Sequence, residues 1–339
     1  MPKRSLVFTA LTLLVACGGS TTQATGNGGA TTSGTTTFTP QEYTVEWGPV
    51  TVAPGVEDTQ CVIKKLPNPS AMHVGAIHNQ LNVGSHHMIV YKTSDTVEQP
   101  TPFSCQPFTD LAHPEKGTPL MVSQKKDDTL TLPQGVAFAI DAEQFVRLEL
   151  HYINPGTTPL DVSATSTFIQ TPDAQVQNEA GFLFVGDIDI SIPPASMATV
   201  GPIYMPEPTP VAGSKYFGIT GHEHQFGTDV TVAITTGKTG TDTPIYNVPG
   251  WTWSEPKTVY LDPAMTVPSG GGFRYTCTWN NTSTDTVGFG ESANNEMCFF
   301  WTYYYPNKGA HVCFHTDKIA GGFDLCCPDN ASLCSKFLP

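Results

Sequence analysis

The chain has 339 residues, with 16 Lys and Arg against 30 Asp and Glu, for a formal charge of −14. That acidic balance excludes nucleic acid as the main partner, because phosphate binding needs a basic face. With 31 Gly, 29 Pro and only 14% charged residues, a long-helix or coiled-coil protein is excluded too. Turn-rich β structure is what this composition favours.

At the front, Lys3 and Arg4 precede an apolar run from Leu6 to Ala16, followed by Cys17. A basic start and a short apolar segment describe a secretory signal, too short to span a bilayer as a mature helix. Residues 1–16 therefore read as a signal peptide. Leu14-Val15-Ala16-Cys17 resembles the bacterial lipobox, in which the Cys is acylated and becomes the new N-terminus. An ordinary signal peptide with an incidental Cys is the alternative. Residues 17–40 read as the lipidated Cys17 and a flexible linker, since Gly18 to Thr37 is nearly all Gly, Ser, Thr, Ala and Asn. No later segment has the run of about 18 apolar residues that a membrane span requires. The expectation is an exported lipoprotein at the outer membrane or cell surface of a Gram-negative bacterium, touching the membrane through its lipid alone.

From Tyr43 onward, short β-like runs are broken by Pro and Gly. Tyr43–Trp47 alternates, Met88–Tyr91 is apolar, and Phe145–Ile153 has period two. The polar patch Thr171–Asn178 is the best domain boundary. After it, Gly181–Ile192, Tyr216–Thr220, Thr228–Thr235, Gly272–Trp279 and Cys298–Tyr305 read as strands. No run reads as a helix over about ten residues. The predicted fold is all-β: two tandem antiparallel β-sandwich (jelly-roll-like) domains, 41–172 and 173–306, with a Cys-rich C-terminal tail, 307–339.

Nine cysteines are many for this length. With Cys17 lipidated, eight remain, an even number in an exported chain, which suggests disulfides. Cys313, Cys326, Cys327 and Cys334 crowd into the tail, where a structural zinc site is the rival reading. Irregular spacing and an oxidising compartment favour disulfides.

The histidines carry the chemistry. His86 and His87 are adjacent before an apolar strand, and neighbours in a regular strand face opposite ways. For both to hold one metal, the backbone must bend or a ring must use Nδ1; taken alone, the pair also fits solvent-exposed histidines. His151 shares the polar face of its strand with Arg147 and Glu149, where a surface histidine is the ordinary reading. His222-Glu223-His224 is an i, i+2 pair whose rings point the same way on a strand, flanked by Gly221 and Gly227 for close backbone approach. Met297 is core filler in most settings, yet a thioether is a soft ligand, and two histidines plus a Met select copper over zinc.

His86-His87-Met88, His151-Tyr152 with Asn154-Pro155, His222-Glu223-His224 and Glu296-Met297-Cys298 stand in the order and spacing of one known family. The chain resembles the copper type II, ascorbate-dependent monooxygenases, which include dopamine β-hydroxylase and peptidylglycine α-hydroxylating monooxygenase. The likeness runs from about Glu57 to Pro306. It implies two copper ions in two sandwich domains separated by a solvent-filled cleft. His86, His87 and His151 would hold an electron-transfer copper. His222, His224 and Met297 would hold the copper that meets dioxygen and substrate. It also implies disulfides Cys61–Cys105 and Cys277–Cys298. The activity it implies is hydroxylation of an activated C–H bond with O2 and an ascorbate-like electron donor. The other reading is a non-catalytic copper-binding lipoprotein for storage or scavenging; retention of ligands for both sites favours the enzyme.

Two departures bear on substrate. Thr220 stands where the peptide-amidating branch has an Arg, and Glu149 where that branch has a neutral amide. With the net negative charge and the aromatic run Trp301, Tyr303, Tyr304 and Tyr305, this suggests a neutral or cationic small molecule. His73, His78, His113, His311 and His315 have no motif and read as structural or surface residues.

Overall fold

A computed structural model describes residues 38–105, 117–290, 292–319, 322–329 and 333–334. The signal segment, Cys17, nearly all of the linker and His113 lie outside the described residues. From Thr39 onward the chain forms one compact unit.

The first half contributes β1 (Glu42–Val52), β2 (Glu57–Lys65), β3 (Met72–Leu81), β4 (Ser85–Thr93), β5 (Gln99–Ser104), β6 (Gly117–Ser123), β7 (Asp127–Thr131), β8 (Val136–Ile140), β9 (Phe145–Ile153), β10 (Leu160–Thr171) and β11 (Asn178–Glu179). These make two facing sheets. One has the order β1-β10-β3-β8-β11 with β7 on β3, and the other the order β5-β2-β9-β4-β6. Trp47, Val62, Ile77, Leu148, Leu150 and Phe168 fill the space between them.

The second half contributes β12 (Gly181–Asp187), β13 (Ser191–Ile192), β14 (Ser196–Pro206), β15 (Lys215–His222), β16 (Gly227–Thr235), β17 (Asp242–Asn247), β18 (Val259–Thr266), β19 (Gly272–Asn281), β20 (Val287–Gly288), β21 (Cys298–Tyr305), β22 (Ala310–Thr316) and β23 (Phe323–Cys327). A six-stranded sheet, β18-β15-β21-β12-β22-β23, faces a four-stranded one, β14-β19-β16-β17. The fold is all-β, in sandwich-like sheets. Apart from β11 on β8 and β22 on β12, which are parallel, the paired strands run antiparallel. Only two short 3-10 turns, Asp173–Gln175 and Thr209–Val211, interrupt the strands among elements with named bounds.

Strand β21, Cys-Phe-Phe-Trp-Thr-Tyr-Tyr-Tyr, is buried along almost its whole length. Its sequence explains this: a strand covered on both faces reads as a continuous apolar run. Phe300 and Tyr304 enter the core of the second sandwich. Phe299, Trp301 and Tyr303 enter a cluster continuous with the first, where Tyr303 meets Phe138 with ring centroids 6.5 Å apart. Alternation along one strand thus serves two cores.

Four disulfides are formed among the described residues. Cys61–Cys105 ties β2 to the end of β5, and Cys277–Cys298 joins β19 to β21 across the second sandwich. In the tail, Cys313–Cys326 and Cys327–Cys334 fasten the last hairpin. The tail is not an appendage: β22 lies beside β12 inside the six-stranded sheet.

Candidate metal centre

The first cluster is built on β4 and β9. Ser85 pairs with Tyr152 and His87 with His151, so the ladder slips by one residue at His86. A bulge leaves one residue unpaired and bends the strand, which is how adjacent histidines reach the same point. Their Nδ1 atoms are 3.1 Å apart. His151 joins them, its ring centroid 4.9 Å from that of His87 and 5.3 Å from that of His86. One ligand atom from each of the three lies within 4.8 Å of the others.

The surface placement expected for His151 is corrected by the structure. His151 is 5% exposed and Glu149 2%. β9 is the central strand of its sheet, and its polar face is covered as well as its apolar one. Tyr91 donates its hydroxyl to Glu149 Oε2 at 2.9 Å. His151 Nε2 donates to Glu57 Oε1 at 2.9 Å, leaving Nδ1 as the atom with a lone pair. Glu57 sits opposite Ile153 on β2 while Thr59 sits opposite His151, so Glu57 is the diagonal neighbour on the same face. The His151 hydrogen bond holds the Glu57 carboxyl down to about 2, despite the opposing effect of burial.

The second cluster begins where β15 ends. His222 and His224 are both 2% exposed, with ring centroids 5.1 Å apart. Gly221 is needed there: a Cβ would lie 2.6 Å from Val230 and 2.9 Å from Tyr246. At Gly227 a Cβ would collide with the Glu223 carboxylate. His222 Nδ1 donates to Gln124 Oε1 at 3.1 Å, and His224 Nδ1 to the Asn295 carbonyl at 3.2 Å. Both therefore present Nε2 as the lone-pair atom, the reverse of His151. Met297 is buried.

Glu296 organises this cluster. Its Oε2 accepts the His224 N–H at 2.8 Å, the Trp279 Nε1–H at 2.8 Å and the Met297 N–H at 3.3 Å, and its Oε1 accepts the Phe226 N–H at 2.8 Å. One carboxylate thus fixes the backbone on both sides of the cluster. Burial nonetheless pushes Glu296 up to about 7 and, with the Glu296 charge nearby, pushes Glu223 up to about 10.

Three contacts bridge the clusters. Trp253 stacks on His86, with centroids 5.0 Å apart and 23° between planes. Gln124, from the first half, reaches His222 and also donates to the Trp253 carbonyl at 3.5 Å. Glu57 accepts the Ala293 N–H at 3.1 Å. Burial, reinforced by neighbouring imidazoles, lowers His86 to about 3 and His224 to about 4, and holds His87 and His222 well below the usual range. His222 and His224 both act on His87, so the clusters sense each other's charge. Neutral imidazole is the form that ligates a metal. Buried imidazoles, with the Met297 thioether next to the Glu296 that holds the His224 backbone, form a donor set suited to copper.

Glu57, Gln124, Trp253, Asn295 and Glu296 escaped prediction as functional residues. Glu296 lies inside a quoted motif, and its place beside Met297 was the available signal for it; Glu57 stands apart from every histidine motif in sequence. Gln124 and Trp253 gave none. Thr220 is 1% exposed, its hydroxyl bonded to that of Thr258 at 2.8 Å. His73 and His78 are paired with Asp173 and Asp127, and His315 lies between Asp317 and Asp324. His311 is buried.

Residues 178–320 match the family described as copper type II ascorbate-dependent monooxygenase, C-terminal domain. Among solved structures, the chain is similar to the major capsid protein P2 of bacteriophage PM2, at 8% identity and a TM-score of 0.36, covering 78% of this chain and 97% of that one. A second similarity is to infectious bursal disease virus, Gx strain, at 9% identity and a TM-score of 0.20, covering 80% and 78%. TM-scores this low carry no argument about function.

Proposed function

We propose that the protein is a copper-dependent monooxygenase that hydroxylates an activated C–H bond of a small organic molecule, using O2 and an ascorbate-like electron donor. One observation carries the reading. The three-histidine cluster lies on β4 and β9, in the half of the chain that the family match does not cover, so it supports copper independently of that match. His86, His87 and His151 would hold one ion, the last through Nδ1. His222 and His224, through Nε2, with Met297, would hold the second. Copper supplies one-electron redox chemistry and oxygen activation when bound. The chain's own residues set the conditions: Glu57 and Glu296 orient ligands, Gln124 fixes the His222 tautomer, and burial keeps the imidazoles neutral.

Thr220 supports a substrate without a carboxylate anchor, because its hydroxyl is uncharged and already bonded to Thr258. A neutral or cationic molecule, with an aromatic amine as first trial, suits this site. The chain would mature at Cys17 as a lipoprotein of the outer membrane or cell surface.

Metal analysis, with ascorbate-dependent oxygen uptake on a panel of amines, phenols and a glycine-extended peptide, tests the reading. Two coppers per chain and turnover of a non-peptide substrate are expected. Met297→Ala should weaken the second copper and abolish turnover while leaving the first in place. Copper binding without any ascorbate-dependent oxygen uptake would favour storage instead.

A further inference from the structure

We propose that Glu57 is a positioning residue shared by the two histidine clusters, tying His151 of the first to the turn that delivers Met297 to the second. This rests on the copper reading above. A single oxygen, Oε1, receives His151 Nε2–H at 2.9 Å, the Ala293 N–H at 3.1 Å and the Ser292 hydroxyl at 3.5 Å. The first donor belongs to the three-histidine cluster. The other two open the segment Ser292–Met297.

That segment is short and closed. The Asn295 N–H returns to the Ser292 carbonyl at 2.8 Å, while the Asn295 carbonyl takes the His224 Nδ1–H at 3.2 Å. The next residue, Glu296, holds the backbone N–H groups of His224 and Met297. A shift of Ser292–Ala293 is therefore passed within four residues to the groups that set His224 and Met297. A carboxylate on the non-ligating nitrogen also fixes a ligand's tautomer and raises its basicity. Glu57 does this for His151 with the same oxygen that anchors the other cluster's turn. The diagonal position on β2 gives Glu the reach; Asp, one methylene shorter, falls short of one partner or the other.

The test uses the full chain with Glu57→Ala, Glu57→Gln and Glu57→Asp. Hydrogen exchange of the metal-free protein is read at Ala293, with β4 and β9 amides as controls for folding. Glu57→Ala should speed exchange at Ala293 by roughly tenfold to a hundredfold, as expected for a lost hydrogen bond to a charged group. Copper affinity at the three-histidine cluster should fall by roughly 10–100-fold, with Glu57→Gln in between because it keeps an acceptor oxygen. Glu57→Asp replaces Glu57→Ala if the latter does not fold, and it should lose one of the two effects.

The sharing itself is read in a His222→Ala/His224→Ala variant, in which only the first cluster binds Cu(I). Adding Cu(I) should slow exchange at Ser292–Asn295 when Glu57 is present and leave it unchanged in Glu57→Ala. Unchanged Ala293 exchange in Glu57→Ala, or Cu(I)-induced slowing that persists without Glu57, overturns the proposal. A wild-type chain that binds no copper overturns the copper reading instead, and the Ala293 exchange of the metal-free protein still decides the anchoring role of Glu57.

Discussion

The indole of Trp253 lies stacked on the imidazole of His86, a residue of the other sandwich, at a centroid distance of 5.0 Å. The stack places an aromatic reporter against one cluster. Cu(II) binding at His86, His87 and His151 should quench Trp253 fluorescence, and Trp253→Phe should remove that component of the quench. Trp253→Ala should also cost about 0.5–1.5 kcal/mol beyond its lost buried area, measured by denaturant unfolding.

Buried carboxyls set an alkaline limit to stability. Glu223 is pushed up to about 10 by burial and then by the Glu296 charge, while the unfolded chain ionises it near 4.5. The native state thus keeps a proton that the unfolded state has lost, so stability falls as pH rises through this window. Between pH 7 and 9 the metal-free protein should lose about 1.4 kcal/mol per pH unit from this group. Glu223→Gln should flatten that slope. On the acid side the four depressed histidines act oppositely, since unfolding lets them gain protons below about pH 6.5. Thermal melts across pH 5–9 should therefore peak near neutrality, and a steady rise to pH 9 would contradict the Glu223 assignment.

The second half should not stand alone. Phe182, Phe184, Phe217, Phe299, Trp301 and Tyr303 belong to the cluster continuous with the first sandwich. A fragment spanning 178–320 uncovers this face, and patches of that kind drive association. Such a fragment should bind a hydrophobic dye and aggregate, whereas the full chain remains monodisperse in the same light-scattering assay.

Cys277–Cys298 spans 21 residues and ends one position after Met297. Replacing both cysteines with Ser should cost on the order of 3 kcal/mol by the chain-entropy estimate. Copper should weaken at the Met297 site more than at the three-histidine site. Separate titrations of the two sites check this.

Strands with a clear period or apolar run were legible from sequence, the edge strand β1 among them, while the central strands β3 and β10 were not. β9 and β21 match their expected bounds, the first by period-two alternation and the second by an unbroken apolar run. β14 was missed because most of its residues stay at least partly exposed and two prolines punctuate it. The histidines announced themselves by motif, but the burial of His151 did not: its face reads as polar, and tertiary neighbours such as Glu57, His86 and His87 cover it. Gln124 and Trp253 are far from any histidine motif in sequence. Their importance comes from tertiary approach, which local pattern does not encode.

β23 is a short strand at the edge of the six-stranded sheet, closed by Cys313–Cys326 on one side and Cys327–Cys334 on the other. Without it, the seven residues of β22 would expose a row of backbone donors and acceptors beside the parallel strand β12. Open edges of that kind recruit strands from neighbouring molecules. The two crosslinks keep this hairpin closed through thermal fluctuation, so the last stretch of the chain works as a guard against self-templating. Reducing those two bonds would open that edge to strands from other copies of the chain.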